Sequence, residues 1–200
     1  MKILYNGNHK AYPSRRGYFG QRNIALVRNS ATMEQCRMLE TEKEQLIAEL
    51  RAAQKQLSAL LESVADVQDW QPDPEEWSFR YIAAHLATVD KDCFMDRIVR
   101  LAAGENPHFA RYFNTGWDFS RIEMKDALQD WTLTRQEIFA LVRALPAEKC
   151  LLTGTHPTFG TMTVLTVLEV MRNHDREHLQ HLERLIEEHK AQKPRRLSLD

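Results

Sequence analysis

The sequence contains no run of 18 apolar residues, which excludes a membrane-spanning helix. Cysteine is scarce: Cys36, Cys93 and Cys150 are far apart and form no C-x-x-C pair. That excludes a disulfide framework and a cysteine zinc site, and it suits a reducing, cytoplasmic setting. No segment alternates apolar and polar residues over the length of a strand, and no internal repeat is present. Net charge is nearly absent, with 27 Lys and Arg against 28 Asp and Glu. The balance is uneven along the chain. Residues 1–31 hold six of the cations and no acidic residue, so the remainder carries a net −7. A net-acidic body is a poor match for nucleic acid, and the basic run from Lys190 to Arg196 lacks aromatic residues that would support such a role. Neither a nucleic-acid nor a membrane partner is expected.

What the sequence has in abundance is helical period. From Met33 to about Val64 there is neither glycine nor proline, and Leu46, Leu50, Ala53, Leu57, Leu60 and Val64 fall on one stripe. Pro72 and Pro74 interrupt the pattern; Ser78 is placed to cap a second helix over about 79–103, which Gly104 ends. Trp70 and Trp77 are expected to pin this connection to the body. Residues 104–120 form a long connection rich in aromatics. Ser120 and Glu123 have capping-box spacing for a third helix to Leu145, with the seam Met124, Leu128, Trp131, Arg135, Ile138 and Val142, and Pro146 stops it. A second connection, 147–161, leads to a fourth helix over about 163–188. Four amphipathic helices without strands predict an all-α, up-down four-helix bundle over residues 33–189. The irregular extension 1–32 and the tail 190–200 are expected to be disordered or loosely attached. An Arg-rich transit peptide and a translation start at Met33 are the alternatives for the extension.

The fourth helix carries the chemistry. Val164, Val167, Met171, His174, His178, His181 and Leu185 share one core-facing stripe. His174 and His178, four residues apart, project from one face one turn apart and could hold a first-row metal from a single helix. Glu177 directly precedes His178, so the H-E-x-x-H protease motif is absent. From this helix alone, metal ligation and a set of hydrogen-bonded core histidines stay equally open. His85, flanked by Ala83, Ala84 and Ala87 in the second helix, is the candidate third ligand. Three neutral imidazoles converging in a bundle core leave open coordination positions, which suits a catalytic zinc, nickel or ferrous iron ion.

The residues Glu76-Trp77-Ser78-Phe79-Arg80-Tyr81-Ile82-Ala83-Ala84-His85-Leu86, Asp96-Arg97-Ile98, Phe159-Gly160-Thr161-Met162-Thr163 and His174-Asp175-Arg176-Glu177-His178-Leu179 resemble the DinB/YfiT-like family of metal-binding four-helix bundles. The resemblance covers about residues 46–186. It implies His85, His174 and His178 as the three metal-binding histidines. Where family members often carry glutamine, this chain has His181, expected to support a ligating ring from behind. The resemblance implies a transferase acting through a low-molecular-weight thiol as co-substrate, an isomerase-like activity, or a hydrolase, on a small-molecule substrate. A non-catalytic metal-binding or stress-associated bundle is the competing reading. Two charges on core stripes complete the candidates. Asp92, seven residues after His85, and Arg135 are expected either to pair with each other or, for Arg135, to clamp a substrate carboxylate. Asp175 and Glu177 are expected on a solvated face, with a hydrogen bond that orients a ligating ring as the alternative. The apolar surface of the long first helix is compatible with a homodimer.

Overall fold

The computed structural model describes residues 18–114 and 116–192, with side chains from residue 33 onward. Residues 1–17 of the expected extension and 193–200 of the expected tail lie outside the described residues. The chain divides between Met38 and Leu39, and the bundle with its candidate site belongs to the second unit. Helix α1 spans Tyr18–Glu62. It is under way before Met33, where helix was expected to begin, because residues 18–32 contain a single glycine and no proline to break it.

After a 3₁₀ turn at Ala65–Val67, α2 covers Phe79–Val89, a π-helical turn covers Asp90–Met95, and α3 covers Asp96–Ala103. The three run on as one rod. Ser78 caps it as expected, its hydroxyl accepting from Tyr81 N–H at 3.2 Å. Gly104, at φ +78°, ends it in the left-handed conformation that glycine adopts without strain. Helix α4 spans Met124–Ala144. It starts three residues later than the capping-box spacing suggested. Glu123 is taken by Gln68 and Arg80, and the Gln68 side chain accepts from Met124 N–H at 2.9 Å, so the cap is supplied across the bundle. A short α5, Ala147–Cys150, precedes an antiparallel hairpin of β1, Gly154–His156, and β2, Gly160–Met162. This hairpin corrects the expectation of no strands; three-residue strands are too short to show alternation. Helix α6, Val164–Gln192, follows.

Four long helical rods thus pack as the expected bundle, and two apolar clusters show their directions. One cluster joins Leu46 and Leu50 of α1, Ile98 and Leu101 of α3, Ile138 and Val142 of α4, and Val164 and Leu168 of α6. The other joins Leu57 and Leu61, Phe79 and Ile82, Leu128 and Trp131, and Leu182 and Leu185. The first and second rods therefore run antiparallel, as do the third and fourth. The middle pair runs the same way, a departure from simple alternation. Residues 104–123 make this possible by travelling back along the bundle: Phe109 lies in the first cluster and Phe119 in the second. Twenty extended residues reach about 66 Å, ample for a 25-residue rod of about 37 Å. At the far end Arg80 fastens this returning strand, donating to Asp69, to the Ile122 carbonyl at 2.7 Å and to Glu123 at 3.1 Å. At the near end Pro107 and Phe109 exchange backbone hydrogen bonds with Thr155 of the hairpin, both 2.8 Å. A Cβ on Gly154 would lie 2.8 Å from the Pro107 carbonyl oxygen, so this approach requires glycine. No helix among the described residues is long and apolar enough to cross a membrane.

Candidate metal centre

Helices α2 and α6 bring His85, His174 and His178 together. His174 Nε2 lies 3.0 Å from His85 Nε2 and 3.1 Å from His178 Nε2, and one nitrogen from each ring fits within a 4.8 Å group. Two nitrogens bound to one ion at about 2.1 Å, at 90–109° to each other, stand about 3.0–3.4 Å apart. The separations fit a shared cation. They fit a hydrogen-bonded core cluster poorly, because the single proton or lone pair on His174 Nε2 cannot serve two partners well.

The tautomer supports the same arrangement. Asn114 Oδ1 sits 2.7 Å from His85 Nδ1 and can only accept, so the ring proton is on Nδ1 and the lone pair is on Nε2, facing the other rings. Burial depresses the pKa of all three histidines. For His85 the Asn114 contact partly opposes the effect. His174 is held well below its ordinary value by burial, then by its two neighbours. His178 is pushed down to about 3, again by burial first and then by His85 and His181. Neutral imidazole is the form that ligates metal, so the pocket prepares the rings at physiological pH.

Trp77 covers the cluster, its ring centroid 4.7 Å from His85 and 5.8 Å from His178. The tryptophan expected to pin a connection therefore also shields the site. His181 does not bond any of the three rings. Its Nε2 lies 3.7 Å from Glu76, and its ring is 6.4 Å from that of His178. The supporting role expected of His181 is filled instead by Asn114, which nothing in the sequence singled out because its position depends on the path of a non-helical connection.

The charged candidates are also rearranged. Asp92 is exposed and makes no ion pair with Arg135 among the described residues. The π turn widens the helix over Asp90–Met95, so the inward stripe from His85 reaches Cys93 rather than Asp92. Asp90 turns toward α4 in its place. Arg135, wholly buried, donates to Asp90 through Nε and through Nη2 at 3.0 Å, and to Asp175 at 2.8 and 3.1 Å. Four of its five N–H donors are committed to the two buried carboxylates, which excludes the substrate-clamp role. Trp131 Nε1 adds a 3.0 Å hydrogen bond to Asp90. Asp175 is fully buried, not solvated, whereas Glu177 is exposed as expected.

A cavity of about 500 Å³ opens onto the three histidines. Val89, Cys93 and Phe94 line it from the second rod, Tyr112 and Phe113 from the returning connection, and Phe159 from the hairpin. Burial pushes the Cys93 thiol up to about 11, so it is a neutral wall group at pH 7. A larger groove of about 720 Å³ between α1 and α4 contains no histidine and lies apart from this chemistry.

Fold and site together define a helical bundle with a three-imidazole centre on the wall of an open cavity. The model of the DinB superfamily matches residues 49–182, and the chain belongs to that superfamily. YfiT from Bacillus subtilis, described as a probable metal-dependent hydrolase with an unusual four-helix bundle topology, superposes with a TM-score of 0.65 at 21% identity, over 74% of this chain and 87% of that one. No curated protein matches the sequence.

Proposed function

We propose that the protein is a metal-dependent hydrolase or thiol S-transferase in which His85, His174 and His178 hold one divalent cation facing the cavity. The observation that carries this reading is the convergence of three neutral Nε2 atoms at 3.0 and 3.1 Å on a cavity wall. A cation held by three imidazoles keeps free coordination positions, from which it lowers the pKa of a water or thiol or polarises a carbonyl. The chain's own residues do the rest. Asn114 fixes the His85 tautomer and ring plane. Trp77 and Phe94 flank the imidazoles and exclude bulk water. Cys93, Val89 and Phe159 give the substrate an apolar bed. All three ligands are nitrogen donors on rigid helices, a set that zinc, nickel and ferrous iron each accept.

The test is elemental analysis of the purified protein beside His85→Ala and His178→Ala variants, followed by ester hydrolysis and thiol-transfer assays. About one equivalent of zinc, nickel or iron, lost in both variants together with activity, is the expected result. A wild-type protein that takes up none of these metals from the apo state refutes the reading. Metal retained with no turnover on either substrate class would make the protein a metal-binding bundle without catalysis.

A further inference from the structure

The bundle buries three arginines: Arg80, Arg97 and Arg135. Two are paired with carboxylates. Arg80 meets Asp69 and Glu123, and Arg135 meets Asp90 and Asp175. Arg97, 5% exposed, has no carboxylate partner among the described residues. Its one hydrogen bond runs from Nη2 to the Ala110 carbonyl at 3.1 Å, and its guanidinium lies 5.5 Å from the centre of the Phe109 ring. A guanidinium carries five N–H donors, so most of this buried charge is uncommitted. A buried cation without a partner is costly, and such a group is retained where something else supplies the anion.

The cavity shows where. Arg97 lines it, as does Arg111, exposed and without an ion pair among the described residues; the pKa of the His156 ring in the same wall is lowered by burial and then by both guanidinium groups. No aspartate or glutamate lines it. Two further buried donors lie on its walls, the Tyr112 hydroxyl and the Asn114 side-chain amide nitrogen, with no close partner but each other. His156 does not add charge. Its Nδ1 accepts from Thr158 and Phe159 N–H at 3.1 and 3.3 Å, so it serves the hairpin as a neutral ring.

We propose that Arg97 and Arg111 form an oxyanion subsite, so that the small-molecule substrate carries a carboxylate or phosphate group on an apolar body. The anion is held by the two guanidinium groups, and its apolar part lies along Phe94 and Phe159 toward the histidines. The substrate assignment rests on the metal-dependent reading of the site; the anion contact itself needs no metal.

The experiment is calorimetric titration of the full chain, apo and zinc-loaded, with benzoate, phenyl phosphate and neutral benzamide, on wild type and on Arg97→Gln, Arg97→Lys and Arg111→Gln. Metal content is measured on each sample. Benzoate or phenyl phosphate binding that falls about 10- to 100-fold in Arg97→Gln, less in Arg111→Gln, and recovers partly in Arg97→Lys is expected. The stronger of the two anions identifies the group. Equal binding of benzamide and the anions overturns the proposal, as does anion binding that requires zinc but ignores both arginines. Should Arg97→Gln fail to fold, Arg111→Gln at unchanged metal content decides: an unaltered preference for anion over amide overturns the subsite. Failure to take up zinc, nickel or iron, with arginine-dependent anion binding intact in the apo protein, would refute the metal reading and leave the subsite standing.

Discussion

Replacing Arg135 with methionine removes the cation that two buried carboxylates share. Methionine fills a similar space, so the loss is chiefly electrostatic. Asp90 is 1% exposed and Asp175 0%, and neither can turn to water. Breaking a buried pair by deleting one partner costs about 3–5 kcal/mol, about 6–20 °C in Tm for a chain of this size. Burial already raises the Asp90 pKa, and Arg135 opposes that rise. Without the guanidinium the Asp90 carboxyl rises further, so between pH 5 and 7 the folded variant binds a proton that the unfolded chain has released. Its deficit relative to wild type therefore shrinks as the pH falls and is larger at pH 7 than at pH 5. Urea unfolding followed by far-UV circular dichroism at both pH values reads this directly. The triple variant Asp90→Asn, Arg135→Met, Asp175→Asn should recover much of the loss, because no uncompensated charge remains. A deficit below about 1 kcal/mol, or one equal at the two pH values, would refute the account of the network.

Acid should destabilise the metal-free protein in a defined window. His178, near 3 when folded and about 6.5 when unfolded, binds its proton preferentially in the unfolded chain. Stability contributed by the neutral ring is thus present above pH 6.5 and is lost on acidification toward 3, about 2 kcal/mol at pH 5 from this residue. An apo urea midpoint unchanged from pH 7 to 5 would contradict that. Asn114→Ala should weaken zinc affinity about 10- to 100-fold while leaving the helical signal intact; chelator competition measures it, and unchanged affinity would deny the residue its orienting role. Asp92→Asn should alter stability by no more than about 0.5 kcal/mol and leave metal content unchanged, because the carboxylate is solvated. A larger effect by urea unfolding would restore the discarded pairing with Arg135.

The helix seams and the histidine cluster were legible because both follow from a 3.6-residue period. Leu46, Leu57, Trp131 and Met171 fall inward just where that period puts them, and four-residue spacing places His174 over His178 whatever the remainder of the chain does. The period fails at the π turn, where Asp90–Met95 shift the inward stripe by one residue and exchange Asp92 for Cys93. Asp175 was misplaced for a different reason: its partner is a buried arginine on α4, and a sequence does not show which helices meet. Asn114, Tyr112 and Arg111 lie in a segment without period, so their positions are fixed by tertiary anchors at Thr155 and Arg80. Arg97 was in view as part of a motif, but its missing counter-charge is visible only when all its neighbours are known.

The returning connection between the parallel middle rods divides the labour of the site. The histidines stand on helices whose spacing is set by two packed clusters, so altering them disturbs the bundle. Arg111, Tyr112 and Phe113 instead sit on a single strap held at its ends by Thr155 and Arg80 and between them by the Tyr81 hydroxyl, which donates to the Asn114 carbonyl. Exchanging residues within that strap changes the shape and charge offered to a ligand at little cost to the bundle. An evolving lineage, or a designer, can therefore redirect what enters the cavity by rewriting one short stretch while the reactive centre beneath stays in place.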